Sequence, residues 1–171
     1  MLKGDETPEF LAKKASVGDE ECFVALCNLL KTKLFRTAKG ILGNESLALD
    51  AVSETIFRAY KGIRRLREAK YAESWFIRIQ INAANDLLRM QKREILVDEL
   101  PEGIYHEDHS ELEFTKMIET LPPEHREIIS LKYYSGYTLH EISGILKIPE
   151  GTIKSRLNRA LNILRLEFLD E

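Results

Sequence analysis

The polar side chains near the carboxyl end of the sequence have the types and the spacing that contact with DNA requires. Lys, Arg, Ser and Asn side chains bond both phosphate oxygens and base edges. One face of a predicted helix carries Lys154, Ser155, Arg156, Asn158 and Arg159. The opposite face carries apolar residues at helical spacing, namely Ile153, Leu157, Ala160, Leu161 and Leu164. A helix with one face for a core and one for a major groove is the arrangement of a recognition helix.

The residues before this helix predict a helix-turn-helix. A first helix would bury an apolar face formed by Leu139, Ile142 and Leu146. A turn over residues 147–149 leads into the second helix, because proline is tolerated in a first helical turn. A helical hairpin with a solvated basic face is the alternative, but the tight Ile-Pro-Glu-Gly turn favours DNA binding. The segment HEISG is not a zinc-protease motif, since Gly144 stands where that motif needs a second histidine.

A second basic segment, in the middle of the chain, has the composition that holds single-stranded nucleic acid, which is positive charge beside a stacking aromatic ring. Between residues 58 and 93, ten basic residues stand against three acidic ones. A loop contributes Arg64, Arg65, Arg67, Lys70 and Tyr71. The next helix, for which we expect Ser74 as the N-cap and Trp75 in the core, adds a polar stripe of Arg78, Asn82, Asn85 and Arg89.

The helix predicted over about residues 46–62 offers a third candidate surface. Its core face would be Ala48, Val52, Ile56, Ala59 and Ile63. Its outer face carries Asp50, Ser53, Glu54, Phe57 and Arg58. An acidic face with an exposed aromatic residue is unsuited to DNA and indicates a protein partner. An ordinary solvated helix is the alternative.

Helices must position all three surfaces, because helical periodicity runs through nearly the whole chain and β-type alternation is scarce. The pattern predicts helices over about residues 20–42, 46–62, 74–92, 123–136, 138–146 and 149–169. Residues 94–119 hold nine acidic residues and one basic residue, with a proline and a glycine, which predicts a flexible linker. We therefore expect an all-α fold with two small helical domains, 1–93 and 113–171, joined by an acidic linker, 94–112.

The composition argues against several other classes. No apolar run reaches the roughly 18 residues of a membrane span, and the first residues lack a signal-peptide core, so we expect a cytoplasmic protein. Cys22 and Cys27 have neither redox nor zinc spacing, and we expect buried thiols. His106, Asp108 and His109 fit a solvated linker better than a metal site. No phosphate loop, metal cluster or nucleophile motif indicates an enzyme, a cofactor or a small-molecule substrate.

The order of these segments resembles the extracytoplasmic-function (ECF) sigma factors of bacterial RNA polymerase. Conserved region 2 of that family resembles LALDAVSETIFRAYKGI and SWFIRIQINAANDLLRMQKR in the 1–93 domain. Region 4, the most specific part, resembles LPPEHREIISLKYYSGYTLHEISGILKIPEGTIKSRLNRALNILR in the 113–171 domain. The likeness covers about residues 8–168. The sequence departs from the family pattern at Leu49, Ser53, Ile81 and Ser143, where an acid, glutamine, Arg or Val, and alanine are usual.

The resemblance implies a role for each surface. The outer face of helix 46–62 would dock on the clamp helices of the polymerase β′ subunit. The mid-chain loop and polar stripe would melt the minus-ten promoter element and capture a flipped base. The recognition helix would read the minus-thirty-five element, and region 4 would also grip the β flap. An anti-sigma factor is a further partner that the family leads us to expect.

Two other functions remain open from the residues alone. A stand-alone helix-turn-helix regulator would dimerise on a palindrome, but a basic helix rich in Asn and Arg is odd for a sensing domain. A decoy that mimics a sigma factor would not need intact DNA-facing residues. The sequence therefore predicts an alternative sigma factor whose two domains bind promoter DNA weakly until polymerase joins them.

Overall fold

The computed structural model describes residues 7–95 and 116–168, apart from the side chains of residues 92, 94, 95, 167 and 168. Every regular element in these two ranges is a helix, which confirms the all-α prediction. The expected acidic linker, with His106 and His109, lies outside the described residues, apart from residues 94 and 95 at the end of a helix.

Residues 7–95, called here the amino-terminal unit, fold into four helices. They are α1 (Pro8–Ser16), α2 (Glu20–Leu42), α3 (Glu45–Gly62) and α4 (Ala72–Ile95). The first three begin after residues whose side-chain oxygen accepts a backbone N–H, namely Thr7, Asp19 and Asn44. Gly43 ends α2 in the left-handed conformation, with φ of 65°, which glycine adopts without strain. The sequence pattern missed α1 as a separate helix.

The core of this unit lies between α2, α3 and α4. Phe76 is fully buried at its centre, while Trp75 is half-buried with its ring edge-to-face against Phe76 at 5.4 Å. Trp75 also covers Gly62, where an added Cβ would lie 3.1 Å from the indole. On α3 the buried side is Ala48, Ala51, Thr55 and Ala59, so the predicted core residues Val52 and Ile56 are only half-buried. Small residues let α3 approach its neighbours closely, which the apolar pattern alone did not reveal.

The basic segment between α3 and α4 is more ordered than the predicted loop. It forms two turns of 3₁₀ helix, Ile63–Arg65 and Ala69–Tyr71, and α4 follows directly. Ser74 lies in the first turn of α4, and its hydroxyl donates to the carbonyl oxygen of Tyr71 at 3.0 Å. An N-cap serine instead accepts from a backbone N–H, so the prediction of Ser74 as the N-cap is wrong.

Residues 116–168, called here the carboxy-terminal unit, begin with a helical stretch over 116–120. The unit continues with α5 (Pro123–Ile129), a π-helical turn (Ser130–Tyr134), α6 (Leu139–Leu146) and α7 (Glu150–Phe168). The single helix predicted to end at Gly136 is therefore α5 followed by a π-helical turn, a wider geometry that occurs as short bulges and often at functional sites.

The two units pack against each other. The π-helical turn and α5 lie on α2, and α6 lies against α4. At the centre, the Ser130 hydroxyl donates to the carbonyl oxygen of Thr37 at 2.7 Å, and both residues are fully buried. The sequence indicates two domains but contains no local signal for this contact between them.

Candidate nucleic-acid interface

The predicted recognition helix is α7, and its candidate contact residues face solvent. Lys154, Ser155, Asn158 and Arg159 are exposed, and Arg156 is half-buried. On the opposite side, Ile153, Leu157 and Ala160 are buried. Nζ of Lys154 lies 3.2 Å from Oε1 of Glu150 in the preceding turn. Such an exposed pair contributes little free energy, so the lysine can exchange this partner for a phosphate.

Polar contacts fix the helix-turn-helix that carries α7. The N–H of Thr138 donates to Oε2 of Glu141 at 2.8 Å, and the N–H of Glu141 donates to Oγ1 of Thr138 at 3.2 Å, which is a capping box. The bonds that the N–H and the hydroxyl of Thr138 donate to Oε2 of Glu141 lower the pKa of the Glu141 carboxyl. In the turn, Lys147 has φ of 56°, and the Ser143 hydroxyl donates to the carbonyl oxygen of Ile148 at 2.7 Å. The serine that departs from the family pattern therefore closes the turn.

The basic segment of the amino-terminal unit presents its charges to solvent. All five loop candidates, Arg64, Arg65, Arg67, Lys70 and Tyr71, are exposed. The Tyr71 ring is 52% exposed, and Nζ of Lys70 lies 4.8 Å from its centroid. Nζ of Lys70 also lies 2.9 Å from Oε2 of Glu68. The hydrogen bond to Glu68 is the main cause that raises the pKa of Lys70, and the interaction with Tyr71 adds to it. An accessible ring beside a cation can stack on a nucleobase.

The polar stripe on α4 divides into two parts. Asn82 and Arg89 are exposed, and Arg78 is half-buried. Asn85 is engaged by the other unit, because its Nδ2 donates to Oε1 of Glu127 on α5 at 2.7 Å. Burial raises the pKa of Glu127, and this hydrogen bond and the charge of Arg156 oppose that rise. Asn85, from one candidate surface, is thus bonded to a carboxylate that also interacts electrostatically with Arg156, from the other candidate surface.

The outer face of α3 combines fixed charges with an exposed ring. Phe57 is 53% exposed, with Nζ of Lys61 3.9 Å from its centroid. Nε of Arg58 lies 2.6 Å from Glu54, and its Nη1 lies 2.9 Å from Asp86. The Glu54 hydrogen bond is the main cause that raises the pKa of Arg58. Asp50 and Ser53 are also exposed, so all five predicted partner-binding residues are exposed or half-buried.

Sequence reasoning missed two residues, Asp86 and Glu127, that order these surfaces. Asp86 bridges Arg58 to Arg89, whose Nη1 lies 3.1 Å from Oδ1 of Asp86. The sequence does hold a signal for Asp86, because it is a single acidic residue in a basic segment and stands three residues before Arg89. Glu127 carried no such local signal, because its partners come from α4 and α7. Among the described residues, no group of His, Cys, Asp and Glu is arranged to hold a metal ion.

Comparisons with known families match both units. The chain matches the model for Sigma-70 region 2 over residues 26–94 and the model for Sigma-70, region 4 over residues 117–166. RNA polymerase sigma factor SigV of Bacillus subtilis is 32% identical over 145 residues, which cover 82% of this chain and 87% of SigV. The chain belongs to the ECF sigma factor family. It is an alternative sigma factor, and these matches lend no support to a stand-alone regulator.

Other relatives of this sigma factor agree in family and in fold. ECF RNA polymerase sigma factor SigW of Bacillus subtilis is 29% identical over 177 residues, covering 92% of this chain and 95% of SigW. The fold is that of CnrH in its complex with the cytosolic domain of CnrY, with a TM-score of 0.77, 20% identity and coverage of 96% and 98%. No helix in the described part of the chain is both long and apolar enough to cross a membrane.

Proposed function

We propose that this sigma factor contacts promoter DNA through two surfaces and core RNA polymerase through a third. The 1–93 domain would serve as region 2 and the 113–171 domain as region 4. The observation that carries this proposal is the solvent-facing polar side of α7, which sits in the segment that matches region 4.

Region 4 would read the minus-thirty-five element with Lys154, Ser155, Arg156, Asn158 and Arg159. The capping box and the Ser143 bond hold α6 and the turn, so α7 is presented as a rigid element. Rigid presentation favours base readout, because the side chains need not be ordered at the moment of binding. The Lys and Arg residues would add phosphate contacts, which make the affinity depend on salt.

Region 2 would melt and hold the minus-ten element. The exposed Arg64, Arg65, Arg67 and Lys70 supply charge along a strand, and Tyr71 supplies a ring for a flipped base. The α4 residues Arg78, Asn82, Asn85 and Arg89 would extend this surface. Capture of an extruded base costs a few kcal/mol of unstacking, which the polymerase complex can offset.

The clamp helices of the polymerase β′ subunit would dock on α3. Phe57 offers a central apolar anchor, and Asp50, Ser53, Glu54 and Arg58 surround it with polar groups. An aromatic anchor within a polar rim is the usual organisation of a protein interface. Region 4 would also contact the β flap.

An anti-sigma factor is a further partner that we infer. A sigma factor RpoE was solved in complex with the anti-sigma factor NepR from Bartonella quintana, with 24% identity to this chain and a TM-score of 0.61. An anti-sigma factor that covered the exposed α3 face of this chain would compete with polymerase for it. Binding of promoter DNA and binding of core polymerase would both take place in the cytoplasm, where the chromosome is transcribed, and we therefore propose a cytoplasmic location.

Run-off transcription on fragmented genomic DNA of the source organism, with its own core polymerase and sequencing of RNA 5′ ends, tests the proposal. We expect new promoter-specific products when the chain is added, and their absence would refute it. Lys154→Ala should lower the yield at limiting chain by roughly 5- to 150-fold, equivalent to about 1–3 kcal/mol. Lys13→Ala, at an exposed lysine on α1 outside the three surfaces, is the matched control.

A further inference from the structure

We propose that Glu150, at the start of α7, determines part of the base specificity of region 4. Its carboxylate would accept a hydrogen bond from the N4 amino group of a cytosine in the minus-thirty-five element. This inference rests on the proposed function, because Glu150 meets a base only if α7 lies in the major groove. None of the five residues proposed above for this element is an acid, so Glu150 adds a different chemistry to the surface.

Glu150 lies on the same side of α7 as the proposed DNA contacts. It is the first residue of the helix, and Lys154 follows one turn later on the exposed side. Residues four apart on an α-helix are neighbours on its surface, and Oε1 of Glu150 lies 3.2 Å from Nζ of Lys154. The residues at the N-terminus of a recognition helix are those that contact base edges. A groove that receives Lys154 therefore also receives Glu150.

The Glu150 carboxylate stands between side chains from both helices of the helix-turn-helix. Its second oxygen, Oε2, lies 3.6 Å from Nδ1 of His140, near the start of α6. The hydrogen bond with Lys154 is the main cause that lowers the pKa of Glu150, so the carboxyl group is ionised at neutral pH. An ionised carboxylate accepts hydrogen bonds and donates none. The Glu150 side chain is 39% exposed, which leaves it accessible to a base edge.

A negative charge in the major groove needs a hydrogen-bond donor on the DNA, because the phosphates repel it. The groove offers two such donors, the N4 amino group of cytosine and the N6 amino group of adenine. Adenine also presents the acceptor N7 beside N6, which repels a carboxylate oxygen, whereas cytosine presents no acceptor of its own. Glu150 carries the one carboxylate among the described side chains of α7. It is therefore the residue of this helix that is matched to cytosine.

A role as a mere counter-charge for Lys154 is the alternative for this carboxylate. In that role Glu150 would repel phosphates and weaken binding to every DNA sequence alike. Its removal would then strengthen binding and leave the base preference unchanged. The pair with Lys154 is exposed, and exposed pairs contribute little free energy. This favours a role toward DNA over one confined to the pair, and the base preference distinguishes the two roles.

A promoter found by the run-off experiment, with its minus-thirty-five element randomised, tests the inference. Core polymerase and the full chain transcribe this library, and sequencing of the products gives the base preference at each position. The wild-type chain should favour cytosine at one position, on either strand. Glu150→Ala should weaken that preference on the order of tenfold and leave the other positions unchanged. Glu150→Gln should shift it toward adenine, because glutamine pairs with N6 and N7 of that base.

Glu124→Gln is the matched control, since Glu124 is likewise an exposed acid in the first turn of a helix, α5. It should keep the wild-type preference at every position. Circular dichroism should show unchanged helix content in all three variants.

Three results would overturn the role of Glu150 in base specificity. They are a Glu150→Ala chain that keeps the wild-type preference, one that changes all positions together, and one that changes a position where the wild-type chain does not select cytosine. In each case the wild-type chain still yields promoter-specific products, so the proposed function stands. Absence of products from every member of the library would instead refute the proposed function, and the role of Glu150 with it.

Discussion

Replacement of Arg126 by methionine should destabilise the folded chain substantially. The Arg126 side chain is only 7% exposed, and its Nη2 donates to the carbonyl oxygens of Glu119 and Leu121 at 2.9 and 3.3 Å. A third bond from Nη1, to the carbonyl oxygen of Ile41, is long at 3.5 Å. This guanidinium thus joins the stretch before α5 to α5 itself and touches α2.

The expected magnitude is a balance of two effects. Hydrogen bonds to a charged group contribute about 1.5–3 kcal/mol each, so loss of the two shorter bonds would cost about 3–6 kcal/mol. Burial lowers the pKa of Arg126, which means that the charged form is penalised in the folded chain. Methionine removes that penalty and retains much of the apolar stem. We therefore expect a net loss of about 2–3 kcal/mol of unfolding free energy.

Urea unfolding followed by circular dichroism measures this loss, and the melting temperature should fall by about 5–10 °C. Arg36→Met, at an exposed arginine on α2, is the control and should change stability by less than about 0.5 kcal/mol. Equal stability of the two variants would refute the assignment of Arg126 as a structural cation.

Two further predictions concern stability and reactivity. Ser143→Ala should lower the unfolding free energy by about 1 kcal/mol, measured by thermal melting, because the Ile148 carbonyl oxygen loses its donor; an unchanged melting temperature would contradict this role. Burial raises the pKa of the Cys27 thiol from its ordinary value near 9 to about 11, so the stability that Cys27 contributes is present below about pH 9 and is lost as pH rises toward 11. Wild type should therefore lose more stability over that range than Cys27→Ala, and a thiol reagent at pH 8 should modify Cys27 far faster in urea than in the native chain.

The local parts of the fold were predictable because each depends on residues close together in sequence. The Gly43-Asn44 stop, the turn before α7 and the two faces of α7 follow from capping preferences and apolar spacing. The exposure of the three candidate surfaces follows from the same patterns. Ser74 was misplaced because a serine before an apolar run suits an N-cap, whereas a preceding 3₁₀ turn started the helix earlier.

The contact between the units was not predictable for a different physical reason. It joins residues such as Thr37 and Ser130, or Asn85 and Glu127, that lie far apart in sequence and are unremarkable singly. A polar residue on a predicted solvent face gives no sign that another unit covers it. Asn85 is the clearest example, since it belongs to the predicted polar stripe of α4 and its Nδ2 donates to Oε1 of Glu127 in the other unit.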